Sequence, residues 1–69
     1  MSCVYVLKSL KDEKLYIGST RKTVEERVKV HNKGSVRSTK GRRPLKLIYS
    51  ESFDNYADAC KREKYFKTG

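Results

Sequence analysis

The sequence contains no tryptophan, one proline and two cysteines, and only 36% of its 69 residues are hydrophobic. Two cysteines cannot build the multi-disulfide framework of small secreted domains, so Cys3 and Cys60 are predicted to be free thiols in a reducing compartment. There is no C-x-x-C pair, so a structural zinc site would have to combine both cysteines with His31. That spacing differs from known zinc ligand patterns, and the free-thiol interpretation is favoured.

Long apolar runs are also absent. The longest uninterrupted one extends from Cys3 to Leu7, far below the roughly 18 residues of a membrane-spanning helix. It is also too short for the apolar segment of a secretory signal peptide. These absences predict a soluble, cytoplasmic protein without a membrane partner. Sixty-nine residues allow one small domain with a thin core, covering positions 1–69.

Acidic residues are scarce, with 8 Asp and Glu against 17 Lys and Arg, which gives a net charge of +9. They are missing entirely from positions 33–46, here called the basic loop. The loop carries six bases: Lys33, Arg37, Lys40, Arg42, Arg43 and Lys46. Together with glycine, serine and threonine, such bases suit contacts with phosphate groups. A solvated, mobile linker is the alternative, but the complete absence of acids favours a nucleic-acid partner.

The hydrophobic pattern predicts five elements in the order β-β-α-β-α. The predicted ranges are a hairpin of Cys3–Leu10 and Leu15–Thr20, a helix Val24–Lys33, a strand from Pro44 to Glu51 and a helix Tyr56–Lys67. Alternation along the third strand predicts Leu45, Leu47 and Tyr49 on one face. Three strands covered by two helices form an α+β fold, a small three-stranded antiparallel sheet flanked by helices.

Local signals mark the helix ends. Thr23 lies three residues before Glu26, as in a capping box at a helix start. Gly34 suits the left-handed position after a helix end. Asp54 or Asn55 is expected to cap the second helix.

The second helix places a carboxylate on its apolar side. Its core-facing stripe, by helical spacing, consists of Tyr56, Ala59, Cys60, Glu63 and Phe66. An unpaired carboxylate in that position would cost several kcal/mol, on the order of the cost of moving a charge out of water. Glu63 should therefore have a cation beside it. It is equally consistent with a partly exposed residue at the edge of the stripe, paired with Arg62 or Lys67.

The first helix and the hairpin carry further polar groups beside the core. Arg27 and His31 are four residues apart, next to the apolar side of the first helix. Arginine offers a fork of donors to phosphate, and histidine can transfer protons near neutral pH. A purely structural histidine is the alternative. Tyr5 and Tyr16 lie on the two hairpin strands, either as ordinary half-buried residues or as site groups.

The order of these residues resembles that of the GIY-YIG nucleases. The matching positions are Cys3-Val4-Tyr5, Tyr16-Ile17-Gly18, Arg27, His31-Asn32, Thr39-Lys40, Pro44, Leu47-Ile48-Tyr49 and Arg62-Glu63. The likeness is greatest to small stand-alone bacterial members and to the amino-terminal nuclease domain of the excision-repair endonuclease. It implies a metal-dependent endonuclease that hydrolyses nucleic-acid phosphodiester bonds, with DNA as the expected substrate, in repair or related processing.

The resemblance also implies roles for individual residues. Tyr5 would act as general base toward the attacking water, and Tyr16 would position water or phosphate. Gly18 would leave room for close approach of the nucleic-acid backbone. Arg27 would stabilise transition-state charge, and His31 would assist proton transfer. Glu63 would bind the metal, Mg²⁺ or Mn²⁺, whose preference for oxygen ligands also answers the charge problem on the second helix.

Two departures from the family pattern leave alternatives open. Cys3 replaces the motif glycine, and the chain ends at Gly69, six residues after Glu63. Several family members carry a further polar residue beyond that point, so a truncated carboxyl end is one expectation. The alternatives are a catalytically weak nucleic-acid-binding module and a domain excised from a larger nuclease. Retention of Tyr5 and the other four motif residues favours the enzyme.

Overall fold

A computed structural model describes residues 1–68 and contains the five predicted elements in the predicted order. They are β1 (Ser2–Ser9), β2 (Leu15–Thr20), α1 (Val24–Asn32), β3 (Leu45–Phe53) and α2 (Tyr56–Thr68). The α+β fold class is confirmed. Neither of the two helices in the described chain has the length and hydropathy needed to cross a membrane.

The three strands form an antiparallel sheet in the order β2-β1-β3, so β1 is central and β2 is an edge strand. Across the β1–β2 pair, Tyr5 lies opposite Gly18 and Leu7 lies opposite Tyr16. Directly paired residues share a face of the sheet. Tyr5, Leu7 and Tyr16 therefore point to the same face, with the two tyrosines diagonal to one another.

The helices cover opposite faces of this sheet. On the α1 face, the buried cluster consists of Tyr5, Leu7 and Leu45, and the partly buried residues packed against it are Tyr16, Val24, Val28 and Leu47. On the α2 face, Ala59 is fully buried and Val4 lies beneath the helix. The stripe predicted for α2 is confirmed as the side that packs on the sheet, because Cys60 and Glu63 both contact Ser19, whose partner across the sheet is Val4.

A β-bulge changes the expected orientation of β3. The pairing passes from Leu7–Leu47 directly to Val6–Tyr49, which leaves Ile48 as an extra residue. One extra residue reverses the alternation beyond it. The prediction that Leu45, Leu47 and Tyr49 share a face is therefore wrong for Tyr49. Its ring lies on the α2 face, 6.0 Å from the ring of Phe66.

The predicted starts of both helices are confirmed, and each helix ends one residue from its predicted end. Thr23 accepts a hydrogen bond from the Glu26 N–H at the start of α1, and Gly34 follows its end with φ of 82°. Asn55 is the residue that caps α2, since its side-chain oxygen accepts from the Asp58 N–H. Thr23 and Gly34 fix where α1 begins and ends, and thereby the positions of Arg27 and His31 along the sheet.

Candidate active site

The Tyr5 hydroxyl lies between two side chains of α1. Its oxygen is 3.0 Å from Nε2 of His31, and Nε of Arg27 donates to it at 3.4 Å. Tyr5 is 1% exposed and His31 is fully buried. Arg27 and His31 reach the same oxygen because a spacing of four residues places them on adjacent turns of one helix face.

Gly18 creates the space that the Tyr5 hydroxyl occupies. A Cβ atom at Gly18 would lie 2.6 Å from Tyr5 Oη and 3.2 Å from a ring carbon of Tyr16. Any larger residue would therefore displace the hydroxyl from His31. Tyr16 completes the cluster, with its ring centroid 5.0 Å from that of His31 and 6.5 Å from that of Tyr5.

The pKa values of Tyr5 and His31 both favour the uncharged form at neutral pH. Burial raises the pKa of Tyr5 above its usual value, although the nearby Arg27 acts in the opposite direction. Burial also lowers the pKa of His31, and the positive charge of Arg27 adds to that effect. The site thus holds a protonated phenol beside a neutral imidazole, a pair that can pass a proton from oxygen to nitrogen.

Glu63 lies on the opposite face of the sheet from this cluster. Its Oε1 accepts from the Ser19 hydroxyl at 2.5 Å, and Ser19 points to the α2 face because it neighbours Gly18 on β2. Glu63 makes no hydrogen bond to Tyr5, Tyr16, Arg27 or His31 in the described chain. Its negative charge nevertheless contributes to raising the pKa of Tyr5. Four of the five predicted catalytic residues lie together, and Glu63 lies across the edge strand from them.

The second oxygen of Glu63 is paired with an ammonium group. Lys67, one turn later on α2, donates to Oε2 at 2.7 Å, whereas Arg62 pairs with Glu51 instead. Burial acts to raise the pKa of Glu63, but the hydrogen bonds from Lys67 and Ser19 outweigh it and the pKa is lowered. The carboxylate is therefore ionised, with its side chain 23% exposed.

Glu63 could bind a divalent metal only as an ion with few protein ligands and several bound waters. Residues 1–68 contain no cluster of three or more His, Cys, Asp or Glu side chains suited to a metal. Mg²⁺ often binds through one or two carboxylates and keeps several waters. Glu63 offers a carboxylate of that kind. The ammonium of Lys67 already binds Oε2, so the position beside this oxygen accommodates a positive charge. The donor set is compatible with Mg²⁺ or Mn²⁺ at Glu63.

The basic loop contacts the rest of the domain through several hydrogen bonds. It contains a 3₁₀ turn at Lys40–Arg42, and Ser9 of β1 donates to the carbonyl of Arg42 at 2.7 Å. Of its six bases, Arg42 is half-buried and 3.9 Å from Asp12, and the others are exposed. Gly18, also expected to contact nucleic acid, is buried beneath Tyr5. The bases present a charged surface, whereas Gly18 shapes the tyrosine pocket.

Beside the loop lies a cleft of about 560 Å³ with strongly basic walls. Lys40 and Arg43 of the loop line it, and so does Lys11 from the β1–β2 turn. The sequence pattern did not single out Lys11, because it lies in a turn between strands and far from the loop in sequence. Its ammonium donates to the carbonyl of Gly41, which brings it beside the loop.

Two hydroxyl groups at the site had no role in the sequence-based prediction. Ser19 holds Glu63, and Thr39 of the basic loop contacts the second nitrogen of His31 at 2.7 Å. Ser19 directly follows the Tyr16-Ile17-Gly18 motif, and Thr39 is among the positions resembling the family. Ser19 and Glu63 are 44 positions apart, and Thr39 and His31 lie in a loop and a helix, so only the folded arrangement reveals the contacts.

Comparison with known proteins adds to this geometry. A family model described as the GIY-YIG catalytic domain matches residues 1–68. A UPF0213 protein of Clostridium perfringens is 48% identical over 68 residues, which cover 97% of this chain and 71% of that protein. A UPF0213 protein of Staphylococcus saprophyticus is 44% identical over 66 residues, covering 94% and 78% respectively. YazA, a UPF0213 protein of Bacillus subtilis, is 45% identical over 64 residues, covering 91% and 63%. No solved structure matches.

Proposed function

The chain belongs to the family of GIY-YIG catalytic domains, which are nucleases, and we propose that it is a divalent-metal-dependent endonuclease acting on DNA. The observation that carries the proposal is the Tyr5 hydroxyl held between Arg27 and His31 on a buried site. The UPF0213 designation of these relatives describes no activity. The proposal therefore rests on the family and on the chemistry of these side chains.

Tyr5 and His31 are proposed to activate the attacking water together. Because burial keeps Tyr5 protonated, the phenol alone is a poor base. As the water oxygen forms its bond to phosphorus, one water proton moves to Tyr5 Oη and the Tyr5 proton moves to Nε2 of His31. The bond between phosphorus and the leaving oxygen breaks, and that oxygen takes a proton from solvent.

Arg27 and Tyr16 are proposed to act on the phosphate rather than on the water proton. The guanidinium of Arg27 carries a permanent positive charge beside Tyr5 Oη, where it can stabilise negative charge on the phosphate oxygens in the transition state. Tyr16 is half-buried next to His31 and offers a hydroxyl that can position water or phosphate. Both roles require the substrate to enter from the open edge of β2.

Glu63 is proposed to bind the metal, with its orientation held by Ser19. A bound Mg²⁺ or Mn²⁺ supplies Lewis-acid stabilisation of charge on a phosphate oxygen. Metal binding requires Lys67 to release Oε2. Because the Lys67 side chain is 53% exposed, its ammonium can move into water at little cost.

The basic loop is proposed to hold the DNA backbone. Lys33, Arg37, Lys40, Arg43 and Lys46 are exposed, and contacts of this kind bind phosphate without reading base sequence. Arg42 contributes charge from a half-buried position. The free thiols Cys3 and Cys60 suit a reducing compartment, which supports a cytoplasmic location. The proposed role in DNA repair or related processing rests on the family alone.

A second candidate function is nucleic-acid binding without efficient cleavage. The Lys67–Glu63 ion pair favours it, since an ammonium bound to the carboxylate competes with a metal. The chain also covers 71% of the C. perfringens relative, and a domain of a larger nuclease would depend on the remaining segment for full activity. Both alternatives predict DNA binding with weak or no cleavage.

Cleavage of supercoiled plasmid tests the proposal. The wild-type chain is incubated with Mg²⁺, with Mn²⁺ or with a chelator, beside Glu63→Gln and the control Glu25→Gln, which alters an exposed carboxylate on α1. Nicking that needs metal, persists in the control and disappears in Glu63→Gln is expected. Binding of plasmid without any nicking would support the binding module instead. Nicking that persists in the chelator would contradict the metal role of Glu63.

A further inference from the structure

Thr39 is completely buried although it belongs to a loop rich in charged residues. Its hydroxyl oxygen lies 2.7 Å from Nδ1 of His31 and 3.4 Å from the carbonyl oxygen of Val36. The reaction proposed above uses the opposite ring nitrogen, Nε2, which faces Tyr5. Each nitrogen of the buried imidazole therefore has its own hydroxyl partner: Tyr5 at Nε2 and Thr39 at Nδ1.

Counting protons determines which nitrogen carries the hydrogen. A threonine hydroxyl has one proton to donate and two lone pairs that accept. The Val36 carbonyl, which also accepts from the Thr39 N–H at 3.1 Å, can take the Thr39 hydroxyl proton, and the Thr39 oxygen then accepts from His31. A neutral imidazole has one N–H. Nδ1 then carries it, and Nε2 has a free lone pair.

The same count holds on the other side of the ring. Arg27 can only donate, so it gives its Nε–H to the Tyr5 oxygen at 3.4 Å. The Tyr5 proton is then free to point at the lone pair of Nε2. All of these donors and acceptors are satisfied at once only when the imidazole proton is on Nδ1.

We propose that Thr39 is a positioning residue that fixes neutral His31 with its proton on Nδ1, so that Nε2 can accept the Tyr5 proton. The catalytic meaning of this contact rests on the proposed nuclease function, but the tautomer does not. The contact also joins the basic loop to the site, because Thr39 immediately precedes the Lys40–Arg42 turn. A loop that holds the DNA backbone would thus also hold the imidazole in its reactive form.

The ¹⁵N NMR spectrum of the imidazole tests this directly, since His31 is the single histidine of the chain. At a pH where the ring is neutral, the wild type is expected to show a protonated Nδ1 and an unprotonated Nε2. Thr39→Val removes the hydroxyl and should shift the ring toward protonation of Nε2, whereas Thr39→Ser should retain the wild-type pattern. Thr68→Val, an exposed change at the end of α2, is the control.

A wild-type ring protonated on Nε2 would overturn the proposal without any variant, even if Thr39→Val fails to fold. An unchanged pattern in folded Thr39→Val would also overturn it. In parallel, Thr39→Val should lower the cleavage rate at saturating DNA with little change in DNA affinity. A wild type that cuts no DNA would overturn the proposed function and leave the tautomer result standing, so the two failures are distinguishable.

Discussion

The imidazole of His31 is buried against neutral partners and one cation. Tyr5 and Tyr16 face it from the sheet, Thr39 faces it from the loop, and Arg27 adds positive charge from its own helix. None of these groups carries a negative charge that would stabilise an imidazolium. Burial and the charge of Arg27 therefore favour the neutral ring, and protonation of that ring opposes folding.

This arrangement predicts a pH dependence of stability. The pKa of His31 lies below its ordinary 6.5 in the folded chain, so the unfolded chain binds a proton first as the pH falls. The free energy of unfolding should decrease below about pH 6.5, the pKa of free histidine. Carboxylates with lowered pKa, such as Glu51 and Glu63, lose their contributions at lower pH, since their ordinary value is 4.5.

Urea unfolding at several pH values between 7.5 and 5 measures this effect. His31→Gln should be less stable than wild type at pH 7.5, by roughly 1–3 kcal/mol for the lost buried hydrogen bonds. Its stability should change little across the interval, because glutamine does not titrate. An equal decrease in both proteins would assign the pH dependence to other groups.

The close approach of Tyr5 to Gly18 predicts that adding a single methyl group at Gly18 destabilises the fold. Because a Cβ at Gly18 would lie 2.6 Å from Tyr5 Oη, Gly18→Ala should displace the tyrosine and lower stability by about 1–3 kcal/mol. Gly41→Ala is the matched control, since its Cβ would meet open space, and its stability should be unchanged or rise by up to about 1 kcal/mol. Equal thermal stability of the two variants would show that Gly18 is not required by Tyr5.

Glu63 should contribute little to stability despite its two partners. Lys67 is mostly solvated and Ser19 can bond to water once the carboxylate is removed, so the pair resembles a surface salt bridge. Glu63→Ala is expected to change the free energy of unfolding by no more than about 1 kcal/mol. A loss of several kcal/mol in urea unfolding would instead identify Glu63 as a structural residue.

For the individual elements, hydrophobic periodicity predicts the strands and helices well, because each element buries one face and apolar residues recur along that face. The β3 bulge was not predictable in this way. Leu45, Leu47 and Tyr49 alternate as they would in a regular strand, and Ile48 is apolar like its neighbours. Only the pairing with β1 shows that the register shifts there.

The charge of the basic loop predicts how DNA binding depends on salt. Arg37 and Lys40 are exposed and have no carboxylate within 4.0 Å in the described chain. Changing both to alanine should weaken DNA binding and reduce the dependence of log K on log salt concentration by about 0.9 per lost phosphate contact. Lys61→Ala with Lys64→Ala, on exposed positions of α2, removes the same charge elsewhere. Equal salt dependence of the two double variants would contradict a specific role of the loop.

Across the whole fold, the residues assigned to the site come from β1, β2, both helices and the basic loop. The sequence indicated Tyr5, Arg27, His31 and Glu63 because polar groups lay beside apolar stripes or matched family motifs. It did not indicate that Glu63 approaches from the opposite face, because helical spacing gives the buried side of α2 but not which sheet face it covers. Nor did it reveal Ser19 and Thr39 as partners, since their contacts span 44 and 8 positions.

We propose that the Tyr5 hydroxyl, held by His31 and Arg27, transfers the proton of the attacking water. Single-turnover cleavage of plasmid DNA by Tyr5→Phe tests it most directly, because the change removes one oxygen atom and leaves the ring in the core. The control is Tyr65→Phe, which removes a hydroxyl from an exposed residue of α2. The cleavage rate of Tyr5→Phe should fall by about 10²–10⁴, the usual contribution of general acid–base catalysis, with DNA affinity and the rate of the control unchanged. Cleavage by folded Tyr5→Phe at the wild-type rate would contradict the claim.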